Sequence, residues 1–386
     1  MCIHLNTHYC VFVGKGGVNM DWNKTNVSKD EYFHLLTMLT IKNDVTTIIN
    51  LAPYIRNPYI SLGMLPLLSQ FCVSIRDYYD SKNVPINLPN LSSFSFDDVR
   101  LKLKLFSESY RKSIKQITTA DSMQDENFKS KLRLSFFAKK NMYYNLGIIA
   151  DSDGNVIFNT HFLYYVFQDK KFSHAELQGE DVKLFGYDIK RIIASVHQGL
   201  LDCLPDTTPT IFSTKFSLKF KDFNTNSTFN IFPQQEDGKE ASLLTLHVLC
   251  SLNFVRYVLS RLLTSDNMWL LRAKYITLYY AIRSINQFAD KSSIQAMKTL
   301  RASDSEQVLN STFRNCMMHY AFVNKGVYAI DDKNLDLNKP FWGLVESCFN
   351  GMTYEALCKT VDQEINTLAD KLEAVLSIDT TSFRQF

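Results

Sequence analysis

"SLLTLHVLCSLNFVRYVLSRLL", residues 242–263, is the most apolar stretch of the chain, and its reading decides the fold. A run of about 20 apolar residues is enough to span a bilayer. This one also carries His247, Asn253, Arg256 and Arg261, and arginines near a bilayer centre are costly. The stretch therefore reads as a buried helix of a bundle, and the protein is expected to be soluble and cytoplasmic, with no membrane partner. The first residues, "MCIHLNTHYCVFVGKGG", lack a basic segment followed by a long apolar run, so no secretory signal is read there.

Downstream of 242–263 the pattern stays helical. "NMWLLRAKYITLYYAIRSINQFAD", 267–290, follows with Asp266 as its expected N-cap. A third helix is expected from Ser303, where "SDSE" fits a capping box, to "NKG" at 324–326. A last one begins after Gly351 and runs through "TYEALCKTVDQEINTLADKLEAVL". Upstream the chain is mixed. Helices are expected in "EYFHLLTMLT", capped by Ser28 or Asp30, in 61–82, in "SFDDVRLKLKLFSESYRKSIKQI" with Ser95 as cap, and in "YDIKRIIASVHQGLLDCL". "MYYNLGIIADSDGNVIFNTHFLYYVF", 142–167, carries a β-hairpin signal around "DSDGN". "TIFSTKFSLKFK" and "STFNIF" read as two further strands. The polar stretch "PQQEDGKEA", 233–241, is the expected boundary. The fold class read from this order is α+β, with a mixed N-terminal region (1–240) of one or two subdomains and an all-α helical domain (241–386).

Bulk composition narrows the function classes. The 386 residues are 46% hydrophobic and 13% aromatic, ample for a packed interior. A net charge of +3 is compatible with a nucleic-acid partner but is not the strongly basic footprint that would demand one. Eight cysteines without a C-x-x-C pair read as reduced core thiols. No H-E-x-x-H is present, so neither metal nor cofactor is expected. "VGKGGVN", 13–19, lacks the full phosphate-loop pattern and reads as a turn. "DSDGN", 151–155, has Phe162 where a calcium loop needs glutamate, and reads as a hairpin turn. The aromatic run "KYITLYYAIRSI" has helical spacing and reads as core rather than a stacking platform.

"STFRNCMMHY", 311–320, remains. On an ideal helix over 303–323, Leu309, Phe313, Cys316, Met317 and Tyr320 share one face, the expected core side. Arg314, Asn315 and His319 point away from it, and Asn315 and His319 are i,i+4 neighbours. Met318 and Phe322 also point outward, which suits a face covered by another helix, a second copy or a ligand. The plainer alternative makes His319 a satisfied polar contact and puts Arg314 in a salt bridge.

"FRNCMMHY" resembles the R-x4-6-H signature of the HEPN superfamily, with Arg314, Asn315 and His319 in the motif positions. The bundle of 242–378 around it is similar in layout. The resemblance implies a HEPN-like helical domain and a metal-independent endoribonuclease of the toxin–antitoxin, abortive-infection or antiviral-defence type. It implies RNA as substrate and a homodimer in which two motifs face one cleft, with Met318 and Phe322 on the dimer surface. An antitoxin or trigger-sensing partner would act through residues 1–240. His319 would do acid/base work, Arg314 would stabilise phosphate, Asn315 would orient the histidine or bind phosphate, and Tyr320 would be secondary. Members paired with a nucleotidyltransferase antitoxin often carry a tyrosine two residues after the histidine. That position is Ala321 here, so that regulation is not expected. Two other readings are a non-catalytic HEPN-like dimerisation or interaction module, and a nucleotide-binding module using Arg314 and Lys325.

Overall fold

A computed structural model describes residues 2–5, 9–12, 28–52, 57–82, 96–131, 144–167, 177–201, 216–302, 308–324 and 326–385. Two short strands, β1 (Cys2–Leu5) and β2 (Tyr9–Phe12), form an antiparallel hairpin. Helix α1 (Lys29–Leu51) starts at Ser28, whose side chain and Glu31 close a capping box, and it runs well past the expected "EYFHLLTMLT". Helix α2 (Pro58–Lys82) follows.

The next expected helix is broken in two. It consists of α3 (Phe96–Leu101), a 3-10 turn (Lys102–Lys104) and α4 (Tyr110–Lys131). Leu105 and Phe106 between them adopt positive φ, which a continuing helix does not allow. Ser95, the expected cap, lies outside the described residues, as do "VGKGGVN" and Ser303–Glu306.

β3 (Leu146–Asp151) pairs antiparallel with β4 (Val156–Asn159) across the "DSDGN" turn, as its signature predicts. Gly154 takes φ 92° there, and Asp151 Oδ1 accepts from the backbone N–H groups of Asp153 and Asn155. Helices α5 (His161–Phe167) and α6 (Leu177–Leu201) come next. β5 (Leu218–Phe223) then joins the free side of β3, with Ile149 opposite Phe220. "STFNIF" is not a strand. Asn224 ties it into turns, its carbonyl accepting from the N–H groups of Thr228 and Phe229.

The remainder is helical: α7 (Gly238–Asn253), α8 (Met268–Lys291), α9 (Gln295–Thr299), α10 (Ser311–His319), α11 (Leu344–Cys348) and α12 (Tyr354–Leu376). A two-residue pairing of β6 (Val323–Asn324) with β7 (Val327–Tyr328) interrupts them. The α8 cap is Asn267, one residue beyond the expected Asp266, and it accepts from Leu270 N–H at 3.0 Å. At the end of the chain β8 (Arg384–Gln385) pairs with β5 and completes an antiparallel sheet of order β4-β3-β5-β8. The chain is α+β and mostly helical.

The polar side chains of 242–263 that argue against a bilayer each find a partner inside the chain. His247 Nε2 lies 2.8 Å from His161 Nδ1. Asn253 donates to the Val156 carbonyl and to Glu373. Arg256 pairs with Asp370, and Arg261 with Asp151 and Asp153. The helix continues past Asn253 as a π turn (Phe254–Leu259) and a last α turn to Leu262. Among the described residues two helical spans, Pro58–Ser81 and Gly238–Leu262, are long and apolar enough to cross a membrane, and 78% and 83% of their apolar 18-residue stretches are buried inside the chain.

Apolar residues pack together across the expected boundary at 240/241. A single contiguous apolar core runs from Tyr32 to Phe383 and takes residues from both sides. Helix α10 sits where the two halves meet, against α2 on one side and α8 on the other.

Candidate functional site

Helix α10 is shorter than the pattern suggested. Its N-cap is Asn310, whose Oδ1 accepts from Phe313 N–H at 2.8 Å and whose Nδ2 donates to the Cys348 carbonyl at 2.7 Å. The Tyr275 hydroxyl bonds both backbone groups of Asn310. The helix ends at His319, because Tyr320 turns into the left-handed region at φ 52°. That conformation costs a non-glycine residue about 1–3 kcal/mol and persists only where the surroundings hold it.

A buried network holds Tyr320 there. Its hydroxyl donates to Asp44 Oδ2 at 2.6 Å. Arg272 lies over its ring at 4.3 Å, with Nε 2.9 Å from the same Asp44 oxygen. Arg272 Nη1 donates to the Met317 carbonyl at 2.6 Å, and Gln70 and Ser74 on α2 both donate to the Met318 carbonyl. Four side chains from α1, α2 and α8 thereby fix the last turn of α10. Burial pushes the Asp44 carboxyl up, while Arg272 and the Tyr320 hydroxyl pull it back down.

Two expectations are corrected here, one by the early end of the helix and one by the packing of α2. Met318 and Phe322 are not on an outer surface: they are 3% and 1% exposed, enclosed by the chain itself. Phe322 lies beyond the helix, so its angle on an ideal wheel has no meaning. The side Met318 faces is covered by α2, which the sequence order does not reveal. Neither residue forms a dimer surface in this fold. Tyr320 is on the core side as expected, 2% exposed, and its hydroxyl is committed to Asp44.

Arg314, Asn315 and His319 are each half-buried. Arg314 Nη1 donates weakly to the Tyr280 hydroxyl at 3.4 Å, and its guanidinium stands 5.3 Å from the Tyr279 ring centroid. Its Nε is buried and makes no hydrogen bond among the described residues. No carboxylate among those residues pairs with it either, so the salt bridge of the plainer alternative is not formed there. The His319 and Asn315 side chains likewise make no hydrogen bond among the described residues.

Burial holds the His319 imidazole below the usual histidine range. The positive charge of Arg100 is the next cause, and Arg314 and Lys104 add to it, while Asp77 opposes them. At neutral pH the ring is therefore a neutral imidazole, and a neutral imidazole keeps one nitrogen that can accept a proton.

Three residues here escaped the sequence reading. Tyr279 and Tyr280 are core residues by spacing, and both are buried as expected, yet their polar edges and faces also hold Arg314. Arg100 lies far upstream in sequence, and no local pattern connects it to His319. Lys325 lies outside the described residues. Among the described residues no group of three His, Cys, Asp or Glu side chains is placed to hold a metal ion. No protein-family model, curated protein or solved structure matches the chain.

Proposed function

We propose that the chain is a metal-independent endoribonuclease of the HEPN type, with α10 as its catalytic helix and residues 1–240 controlling access to it. The observation that carries this reading is the Arg314 guanidinium sharing one helix with a neutral His319, the first without a carboxylate and the second without a hydrogen bond among the described residues. A half-buried guanidinium of this kind calls for an anion from outside, and its fork suits phosphate oxygens.

His319 takes the proton of the ribose 2′-hydroxyl as its oxygen attacks the adjacent phosphorus. Arg314 balances the extra negative charge of the pentacoordinate phosphorane. The bond from phosphorus to the 5′-oxygen breaks, and the protonated His319 returns a proton to that leaving oxygen. The products are a 2′,3′-cyclic phosphate and a 5′-hydroxyl. Asn315, one residue from Arg314 and one turn from His319, binds the second non-bridging oxygen or orients the ring. Tyr320 supports the helix end and takes no part in proton transfer. A toxin or defence role in the cytoplasm belongs to the same proposal. A homodimer would use a surface other than Met318 and Phe322.

The test is RNA cleavage by purified protein with excess chelator present. Cleavage that Arg314→Ala abolishes supports the reading. Full-length RNA after incubation with wild type, with and without added divalent metal, refutes it and leaves a non-catalytic interaction module.

A further inference from the structure

A second guanidinium stands at the tyrosine that holds Arg314. Arg283, one turn after Tyr279 on α8, donates from Nη1 to the Tyr279 hydroxyl at 3.3 Å, and its guanidinium carbon lies 5.8 Å from the ring centroid. Arg314 reaches the same ring from α10, at 5.3 Å. One side chain therefore places both, and the two guanidinium carbons are within about 11 Å of each other, the sum of those two distances. The ring itself is fixed. Tyr279 is 4% exposed, with the Tyr275 and Tyr280 ring centroids 6.2 and 5.4 Å away, and Tyr275 is tied to the α10 cap through Asn310. Arg283 is exposed. A guanidinium carries five N–H donors, and among the described residues Arg283 spends only the one on Tyr279. No carboxylate among those residues pairs with it, as none pairs with Arg314.

We propose that Arg283 is a second phosphate-binding residue of the site, gripping a phosphodiester of the RNA strand next to the one Arg314 holds. This rests on the ribonuclease reading of Arg314 and His319. Arg283 follows Tyr279 by four residues, about 6 Å of axial rise, so the bound strand runs from Arg314 along α8. Two like charges beside one ring repel each other, and neighbouring phosphates, each paired with one guanidinium, remove that cost. The hydrogen bond to a fixed tyrosine also limits the side-chain freedom that an exposed arginine would lose on binding. Tyr279 and Tyr280 are buried, so their rings support the arginines and do not stack on bases. Arg283 holds the strand, and proton transfer stays with His319.

The experiment uses the full chain carrying His319→Ala, to prevent cleavage, and a fluorescein-labelled single-stranded RNA of mixed sequence. Its dissociation constant is measured by anisotropy across a potassium chloride series. Adding Arg283→Ala is expected to weaken binding about tenfold and to flatten the log–log salt slope by about 0.7, the value of one strand phosphate. Arg283→Lys keeps the charge and is expected to keep the slope. Adding Arg314→Ala instead is expected to flatten it by a similar amount. In the cleavage-competent chain, Arg283→Ala is expected to raise KM with kcat little changed, as the loss of uniform binding does. Helical circular dichroism confirms that each variant folds.

If Arg283→Ala leaves affinity and slope unchanged while Arg314→Ala weakens binding, the inference about Arg283 is wrong and the site reading survives. The inference also fails if Arg283→Lys flattens the slope as much as Arg283→Ala, because charge is then not what acts. If neither Arg283→Ala nor Arg314→Ala matters, or the parent binds no RNA, both readings are wrong.

Discussion

Removing one member of the Asp44–Arg272 pair should cost more than any surface change in this protein. Asp44 is fully buried on α1 and Arg272 nearly so on α8, and their charged atoms lie 2.9 Å apart. Asp44→Ala leaves the guanidinium with the Met317 carbonyl as its remaining close partner and strips the Tyr320 hydroxyl of its acceptor. Breaking one side of a buried pair costs about 3–5 kcal/mol, because the other charge stays in the interior uncompensated. Arg272→Met should cost a similar amount. The double variant replaces both charges with apolar atoms, so its loss should fall short of the sum by about 1–3 kcal/mol. Urea unfolding followed by far-ultraviolet circular dichroism, with all four proteins at pH 7, measures the cycle. Each single variant should also cleave RNA more slowly under native conditions, since the network sets where α10 ends and hence where His319 stands. Single losses below about 1 kcal/mol, or two losses that simply add, would refute the claim that this pair anchors the helix end.

Acid should weaken the fold through His161 and His247. Burial pushes His161 down to about 4 and His247 well below the usual histidine value of 6.5. The unfolded chain therefore binds more protons between those values, and stability falls as pH drops from 7 towards 4. For His161 alone, the loss between pH 7 and pH 5 is about 2 kcal/mol. Urea midpoints at the two pH values measure it, and His161→Gln should narrow the gap. Gly63→Ala should destabilise although it lies inside a helix, where alanine normally gains about 1 kcal/mol. An added methyl would meet the Phe254 ring at 2.5 Å, and such overpacking costs about 1–3 kcal/mol. A raised thermal midpoint for Gly63→Ala would contradict the close packing of α2 on the π turn.

Periodicity and turn chemistry carried much of the architecture. The hairpin at 146–159 follows from "DSDGN", the start of α1 from Ser28, one of its two candidate caps, and the reading of 242–263 as a core helix from four polar residues that each found a partner. What local pattern could not carry was the meeting of distant segments. The break at Leu105 and Phe106 lies in a sequence whose propensity is helical throughout. "STFNIF" has strand-like residues, but Asn224 fastens it into turns. At the candidate site, the core side of α10 was legible because Phe313, Cys316 and Met317 recur at helical spacing. Its end at Tyr320 was not, since the left-handed turn is held by Asp44 and Arg272 from remote helices. The burial of Met318 depends on α2 in the same way. Arg314 and His319 were legible as a pair only through their resemblance to a known motif.

Proton transfer by His319 is the central claim. Single-turnover cleavage of RNA, with chelator present and product ends identified, measures it directly. Wild type is predicted to give 2′,3′-cyclic phosphate ends, and His319→Ala to be slower by about 10²–10⁴-fold with its helical signal intact. A folded His319→Ala protein that cuts RNA at the wild-type rate would contradict it.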